Sequence, residues 1–271
     1  MSLRLTKIPS GFILLNCIAI FLLFYIQMDY RNDKHDKVKC TNLSEKFHNM
    51  IRDLKKINNE LSLKLKNSIQ KLGQLNCEKN QNDVSPNGGW CSSISGRNSS
   101  QHLTDFKFAK ALSEFLKSKR VASFGDGPGV YKETLDNLKQ VLLYDAFDGA
   151  PFVEKTTDNR VQFLDLSQPV YHLNQYDWVI SIEVAEHIPK EFEHVYVDNL
   201  VRHAKEGIIL SWAREGQDGH SHINCRNFDY VKSVIEAKKF MHDKEASDYL
   251  KQNSDLFWIK DNVNVFRRIV D

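Results

Sequence analysis

Residues 120–129 read RVASFGDGPG, and this stretch decides the fold. Arg120–Phe124 has the length and character of a short strand. It runs into Gly125-Asp126-Gly127-Pro128-Gly129, and a helix is expected to begin near Tyr131. Strand, glycine turn and helix in that order make a glycine motif informative. Glycines let the backbone approach a bound cofactor closely. A lone G-x-G-x-G is a weak signal, so the elements on either side have to carry the rest.

Upstream, Thr104 is expected to cap a helix whose first turn holds Asp105 and whose apolar face is Phe106, Ala109, Leu112, Phe115 and Leu116. Downstream, Val141–Phe147 reads as a second strand ending at Asp148. A carboxylate at that tip can accept hydrogen bonds from both hydroxyls of a ribose. Asp145 lies one alternation away from the tip. Val161–Leu164 reads as a third strand, followed by Asp165 and Leu166, and Asp177–Ile182 as a fourth, entering Glu183-Val184-Ala185-Glu186-His187-Ile188-Pro189. A helix with Phe192, Val195, Tyr196 and Leu200 on one face comes next, then a fifth strand over Gly207–Trp212. Residues 240–257 are expected to hold the last helix and the turn into a closing hairpin. The alternation predicts an α/β domain with a parallel sheet, helices on both faces, and a ligand at the carboxyl ends of the strands.

The set FGDGPG (124–129), FDGAP (147–151), FLDL (163–166), YDWVISIEVAEHIP (176–189) and GIILSW (207–212) resembles the motif series of class I S-adenosylmethionine-dependent methyltransferases. The resemblance spans roughly residues 88–271, and the segment around Glu183–Pro189 is its most telling part. It implies a Rossmann-like seven-stranded sheet whose last strand, here Val263–Ile269, runs antiparallel. It implies S-adenosyl-L-methionine as cofactor, wrapped by Gly125, Gly127 and Gly129. Asp148 would hold the ribose, Asp165 and Leu166 would flank the adenine, and Glu183 would lie near the methionine end. The family usually carries an acid two positions before the first glycine. This chain has Ser123, with Asp126 or Asp105 as substitutes. If neither serves, an inactive scaffold of the same fold is the alternative. Dinucleotide oxidoreductases, the competing α/β reading, usually show G-x-G-x-x-G and have no place for the acidic Glu-x-x-Glu-His segment.

Methyl transfer is a displacement that depends on positioning, and a hydroxyl acceptor also needs its proton removed. His187 after the fourth strand, and His222 and His220 in the long polar loop after the fifth, are the expected catalytic residues. His187 and His222 rank level as base. Trp90, His102, Asp105, Trp212 and Asn224 are the expected acceptor-side residues. A cation site built from His220, His222 and Asp218 was weighed, and no metal is expected.

Gly11–Met28 reads GFILLNCIAIFLLFYIQM, without a charge. Eighteen helical residues span about 27 Å, near the thickness of a thin bilayer. No small residues precede a cleavage point, so the reading is a retained signal-anchor after a short tail, 1–10. The basic residues flanking the span do not favour a cytoplasmic N-terminus. The resemblance to type II Golgi enzymes, together with the sequons Asn42-Leu43-Ser44 and Asn98-Ser99-Ser100, places the remainder in the lumen. The alternative is a cytosol-facing enzyme acting on a small molecule or lipid. Residues 29–77 read as a coiled-coil stem. Leu43, Phe47, Met50, Leu54, Ile57 and Leu61 form a heptad seam that Leu65, Ser68, Leu72 and Leu75 continue after a stutter. A homodimer through this stem is expected, with Cys40 and Cys77 placed for interchain disulfides; the alternative is a single amphipathic helix packed on the domain. The enzyme domain is assigned to 78–271. Residues 81–271 hold 23 Lys+Arg against 28 Asp+Glu, a net of −5. That argues against nucleic acid as partner and leaves a glycan or small-molecule acceptor.

Overall fold

The computed structural model describes residues 34–80, 83–92 and 102–270, with side chains from residue 44 onward. The expected tail and anchor, residues 1–28, lie outside the described residues, as does Asn98. Among the described residues no helix is long and apolar enough to cross a membrane. The chain divides into two compact units, at Ile57/Asn58.

A single helix, α1, runs from Lys34 to Asn80. The second unit then builds β1 (Arg120–Phe124), β2 (Leu143–Asp148), β3 (Gln162–Phe163), β4 (Tyr176–Ser181), β5 (Ala204–Leu210), β6 (Phe240–Asp243) and β7 (Asn264–Arg268). The helices between and around them are α2 (Phe106–Phe115), α3 (Val130–Leu138), α4 (Val153–Thr156), α5 (Glu193–His203), α6 (Phe228–Glu236), α7 (Lys244–Gln252) and α8 (Phe257–Asn262). All seven strands form one sheet in the order β3-β2-β1-β4-β5-β7-β6. The pairings from β3 across to β5 are parallel, and β7 runs antiparallel to both β5 and β6. The expected α/β sheet with an antiparallel closing strand is therefore present. Its strand order reverses between β1 and β4, where ligands enter open α/β sheets.

Alternation along the central strands supplies both layers of the core. Ala122, Phe124, Val179, Ile208 and Leu210 face one layer. Val121, Trp178, Ile180 and Ile209 face the other. Successive strand residues point to opposite faces, so apolar runs without polar alternation are what a sheet covered on both sides requires.

Four expectations change. The N-cap of α2 is Asp105, not Thr104, because its carboxylate accepts the Phe108 N–H. Phe240–Asp243 is an edge strand, not helix, paired to β7. The second half of the stem is a docked helix in which one face carries the contacts. Ser62 Oγ accepts the Tyr171 N–H and bonds His172 Nδ1, Gln70 and Gln74 donate to the Pro151 carbonyl, and Lys66 pairs with Glu154. Cys77, expected to bridge two chains, is closed on Cys91 of its own chain.

Candidate functional site

A cavity of about 400 Å³ opens at the carboxyl ends of β1, β2 and β4, within the size range of sites for cofactors and drug-sized ligands. The glycine turn forms its floor. Gly127 has φ +58, and a Cβ there would meet only the His102 imidazole, at 3.5 Å. The turn therefore presents bare backbone to open space, which is the cradle a cofactor needs. Gly125 also lines the cavity, whereas Gly129 does not; it is the left-handed N-cap of α3.

Two acids stand on this side. Asp148, at the tip of β2, lines the cavity and accepts the N–H groups of Gly127 at 2.9 Å and Ala150 at 2.8 Å. Burial raises its pKa, and those two N–H groups oppose the rise. Asp126 accepts the Tyr144 hydroxyl at 2.9 Å and the Lys132 N–H at 3.2 Å. Burial pushes its carboxyl up to about 6, against hydrogen bonds from Ser123 and Tyr144. Ser123 and Asp126 both line the cavity, so an acid stands three residues after the position where the resemblance expects one. Asp105 is not available for that role. It holds the N-terminus of α2 and accepts the N–H groups of Asp255 and Leu256. Asp165 is also turned to structural use, accepting the N–H and hydroxyl of Ser167. Leu166, with Leu164, provides the apolar lining on this side.

The opposite wall begins at the tip of β4. Glu183 has φ +56, an uncommon conformation for a residue with a side chain, and one that clusters at functional sites. Its Oε1 accepts the Ser211 hydroxyl at 2.7 Å. The 3₁₀ turn Ala185–His187 follows and places Glu186 and His187. The Glu186 carbonyl accepts the N–H groups of Ile223 and Asn224, which ties the loop after β5 to this turn. That tie brings His222 to His187, with ring centroids 5.1 Å apart. Gly219 makes room, since a Cβ there would collide with the His222 ring. His187 Nδ1 lies 3.2 Å from the Ser221 carbonyl, and His222 Nδ1 lies 3.2 Å from the Gln217 carbonyl. Carbonyls only accept, so both imidazoles carry their proton on Nδ1 and leave an Nε2 lone pair free. Burial, then His222, lowers the His187 pKa to about 4.

Glu186 is 0 % exposed, and neither of its carboxylate oxygens has a hydrogen-bond partner. The Glu183 carboxyl lies against it, and the N–H groups of Glu186 itself and of Ala213 act on it as weak donors outside strict hydrogen-bond geometry. Burial and then Glu183 push its pKa well up. Glu186, His187 and His222 each offer a ligand atom, all within 4.8 Å of one another.

The remaining expected residues divide. Trp90, His102 and His220 line the cavity, with Trp90 stacked on His220 at 5.2 Å and edge-on to His102 at 4.8 Å. Trp212 does not line it. Its indole N–H donates to the Asn224 carbonyl at 2.6 Å and its ring packs edge-on to Tyr196. Asn224 is fully buried behind the wall, its side-chain amide unpartnered. His220 is thus separated in role from the His187–His222 pair. Glu186 had no expected role; the signal available was its position three residues after Glu183 and next to His187.

No protein-family model and no curated protein matches this chain. Solved structures similar to it include magnesium protoporphyrin IX methyltransferase from Synechocystis PCC 6803 with bound S-adenosyl-L-homocysteine, at 16% identity and TM-score 0.45 over 60% of this chain and 83% of that one. The N-methyltransferase NodS from Bradyrhizobium japonicum WM9, also with S-adenosyl-L-homocysteine, is similar at 12% identity and TM-score 0.44 over 61% and 86%. The [4+2]-cyclase SpnF is similar at 12% identity and TM-score 0.46 over 74% and 96%.

Proposed function

We propose that this chain is an S-adenosyl-L-methionine-dependent methyltransferase acting on a hydroxyl. The observation that carries the reading is one cavity with two unlike walls: a bare glycine turn with Asp148 at the tip of β2, and His187 and His222 with free Nε2 atoms across from it. The bound cofactor supplies an electrophilic methyl group on a sulfonium. Gly127 gives it backbone approach. Asp148, already fixed by two N–H groups, has lone pairs left for ribose hydroxyls. Asp126, which interacts with Ser123 in the cavity lining, is the acid that would face the cofactor's ammonium, and its presence weighs against reading the chain as an inactive scaffold. Leu164 and Leu166 offer apolar contact to a purine. In transfer the S–CH3 bond breaks as the O–CH3 bond forms, and the hydroxyl proton passes to Nε2 of His187 or His222. Calorimetry of the purified full-length chain with the cofactor tests the reading; no binding by the wild type would remove its basis.

The acceptor and the setting extend the same proposal. The Cys77–Cys91 disulfide is chemistry of an oxidising compartment, in keeping with a type II anchor at 11–28, a Golgi-side domain and a glycan acceptor. Occupied sequons at Asn42 or Asn98, read as a mobility shift on deglycosylation, support this setting; unglycosylated chain from a eukaryotic host favours the cytosol-facing alternative. Homodimerisation through α1 rests on the leucine seam, whose members Leu54, Ile57, Leu61, Leu65, Leu72 and Leu75 are all exposed.

A further inference from the structure

The buried carboxylate of Glu186 is the most costly unexplained feature of the cavity wall. A fully buried charge without a hydrogen bond is strongly unfavourable, and buried carboxylates are normally paired or metal-bound. The Arg226 guanidinium, on the same loop as His222, is committed to Glu193 at 2.8 Å. What faces Glu186 instead is the Glu183 carboxyl and His222, whose Nε2 lies 4.0 Å from Glu186 Oε1, with His187 beside it. A separation of 4.0 Å is too long for a hydrogen bond. Adjacent ligand atoms at about 2.0–2.2 Å from one ion stand about 3.0–3.5 Å apart, so small side-chain shifts would close the three residues onto a shared cation.

The hydrogen bonds made by the other ring nitrogens agree. Metal-bound histidines almost always donate their other ring N–H to a carbonyl or carboxylate. Both histidines do so here, His187 to Ser221 and His222 to Gln217. The carbonyls fix each ring with its free Nε2 available. Nothing equivalent holds His220, which stacks on Trp90.

We propose that Glu186, His187 and His222 bind one divalent transition-metal cation, Mn²⁺ being the probe of choice for a mixed nitrogen and oxygen donor set. Three protein ligands leave positions open towards the cavity, as in catalytic sites. The inference rests on the methyltransferase reading for its consequence, which is that an acceptor hydroxyl oxygen binds the cation. Its proton then leaves to bulk water, the O–CH3 bond forms and the S–CH3 bond breaks. His187 and His222 become ligands instead of bases.

The test is Mn²⁺ titration of the chelator-stripped full-length chain, followed by electron paramagnetic resonance, with cofactor calorimetry on the same sample. One Mn²⁺ per chain is expected, with nitrogen modulations from imidazole in the echo-detected spectrum. Glu186→Gln and His222→Asn should each weaken binding by roughly tenfold or more, while the exposed control His194→Asn should not change it. The imidazole signature needs no variant, so an unfolded Glu186→Gln does not leave the question open. Absence of bound Mn²⁺, or binding without nitrogen modulations, overturns the cation site. Cofactor binding without Mn²⁺ binding refutes the cation site alone, and Mn²⁺ binding without cofactor refutes the methyltransferase reading alone.

Discussion

At or just after the ends of β1, β2 and β3, each buried acid has donors of its own: Tyr144 and Lys132 on Asp126, Gly127 and Ala150 N–H on Asp148, Ser167 on Asp165. Across the same cavity Glu186 has none. The first wall compensates its negative charge with protein dipoles, and hydrogen bonds to charged acceptors are the stronger kind. The second wall leaves the Glu186 carboxyl against that of Glu183, its pKa pushed well up, with the His222 Nε2 4.0 Å away. A pocket wall that is complete in the empty protein is built to orient a ligand; one that is incomplete is built to be finished by something that binds.

The largest expected effect separates the two walls by what each loses. Asp148→Ala removes a carboxylate bonded to two backbone N–H groups and leaves both donors unpaired. Bonds to charged groups contribute about 1.5–3 kcal/mol each, so cofactor affinity should fall by roughly 100-fold in calorimetry. Glu186→Gln, at a residue that does not itself line the cavity, should leave cofactor affinity within about threefold, while turnover collapses. Equal losses of affinity in both variants would break the distinction.

The second wall also has an outer edge. Gly88 packs on the His187 carbonyl, where a Cβ would collide, and Trp90 stacks on His220. Cys91 ties that segment to α1 through Cys77, 14 residues earlier. Closing a loop of this size stabilises by about 3 kcal/mol. Replacing both cysteines by serine should therefore lower Tm by roughly 6–12 °C, measured by calorimetric unfolding. A Tm unchanged by the double substitution would mean that the edge is held by packing alone.

Asp126 gives a smaller effect, with a sign fixed by its environment. Its folded pKa of about 6 stands above the ordinary 3.8, so the fold favours the neutral carboxyl. The stabilisation is fully present below about pH 4 and is lost as pH rises through about 6. Asp126→Asn removes the ionisation and should gain on the wild type between pH 4 and pH 7, by on the order of 1–2 kcal/mol after loss of the stronger acceptor. Denaturant unfolding at pH 4.5 and pH 8 measures it. A difference that shrinks with rising pH would show that Asp126 is ionised and well compensated.

Legibility in the sequence followed the same division. β1, the glycine turn, β4 and the antiparallel β7 were readable because each carries a local signal: an apolar run, a glycine spacing or a run bounded by breakers. Asp148 was readable because its role depends only on standing at a strand tip. Asp165 and Asp105 stand at comparably legible positions. Their positions fit, but whether a carboxylate is free or absorbed by Ser167, or by the N–H groups of Asp255 and Leu256, is decided by a loop far away in sequence. Residues 240–243 became a strand only because β7 offers an open edge. Glu186 lay within the motif, yet its importance comes from an absence of partners, which no spacing reveals.

The two faces of α1 repeat the contrast between complete and incomplete surfaces, and carry the smallest expected change in stability. Ser62, Lys66, Gln70, Gln74 and Cys77 recur at helical spacing and are all engaged on the domain. Leu61, Leu65, Leu72 and Leu75 occupy the other face and are exposed, Leu72 at 66 %. Leucine does not need to be buried, but a row of it at heptad spacing seeks another helix. Because these side chains touch little within the chain, Leu65→Glu with Leu72→Glu should shift unfolding by no more than about 0.5 kcal/mol and leave cofactor affinity unchanged. The same pair should convert a dimer into a monomer in light scattering, since like charges facing each other across a parallel seam repel. A wild-type chain that is already monomeric would leave the seam without a second copy to cover it. A large loss of stability in the variant would show instead that the leucine face is the one that holds α1 in place.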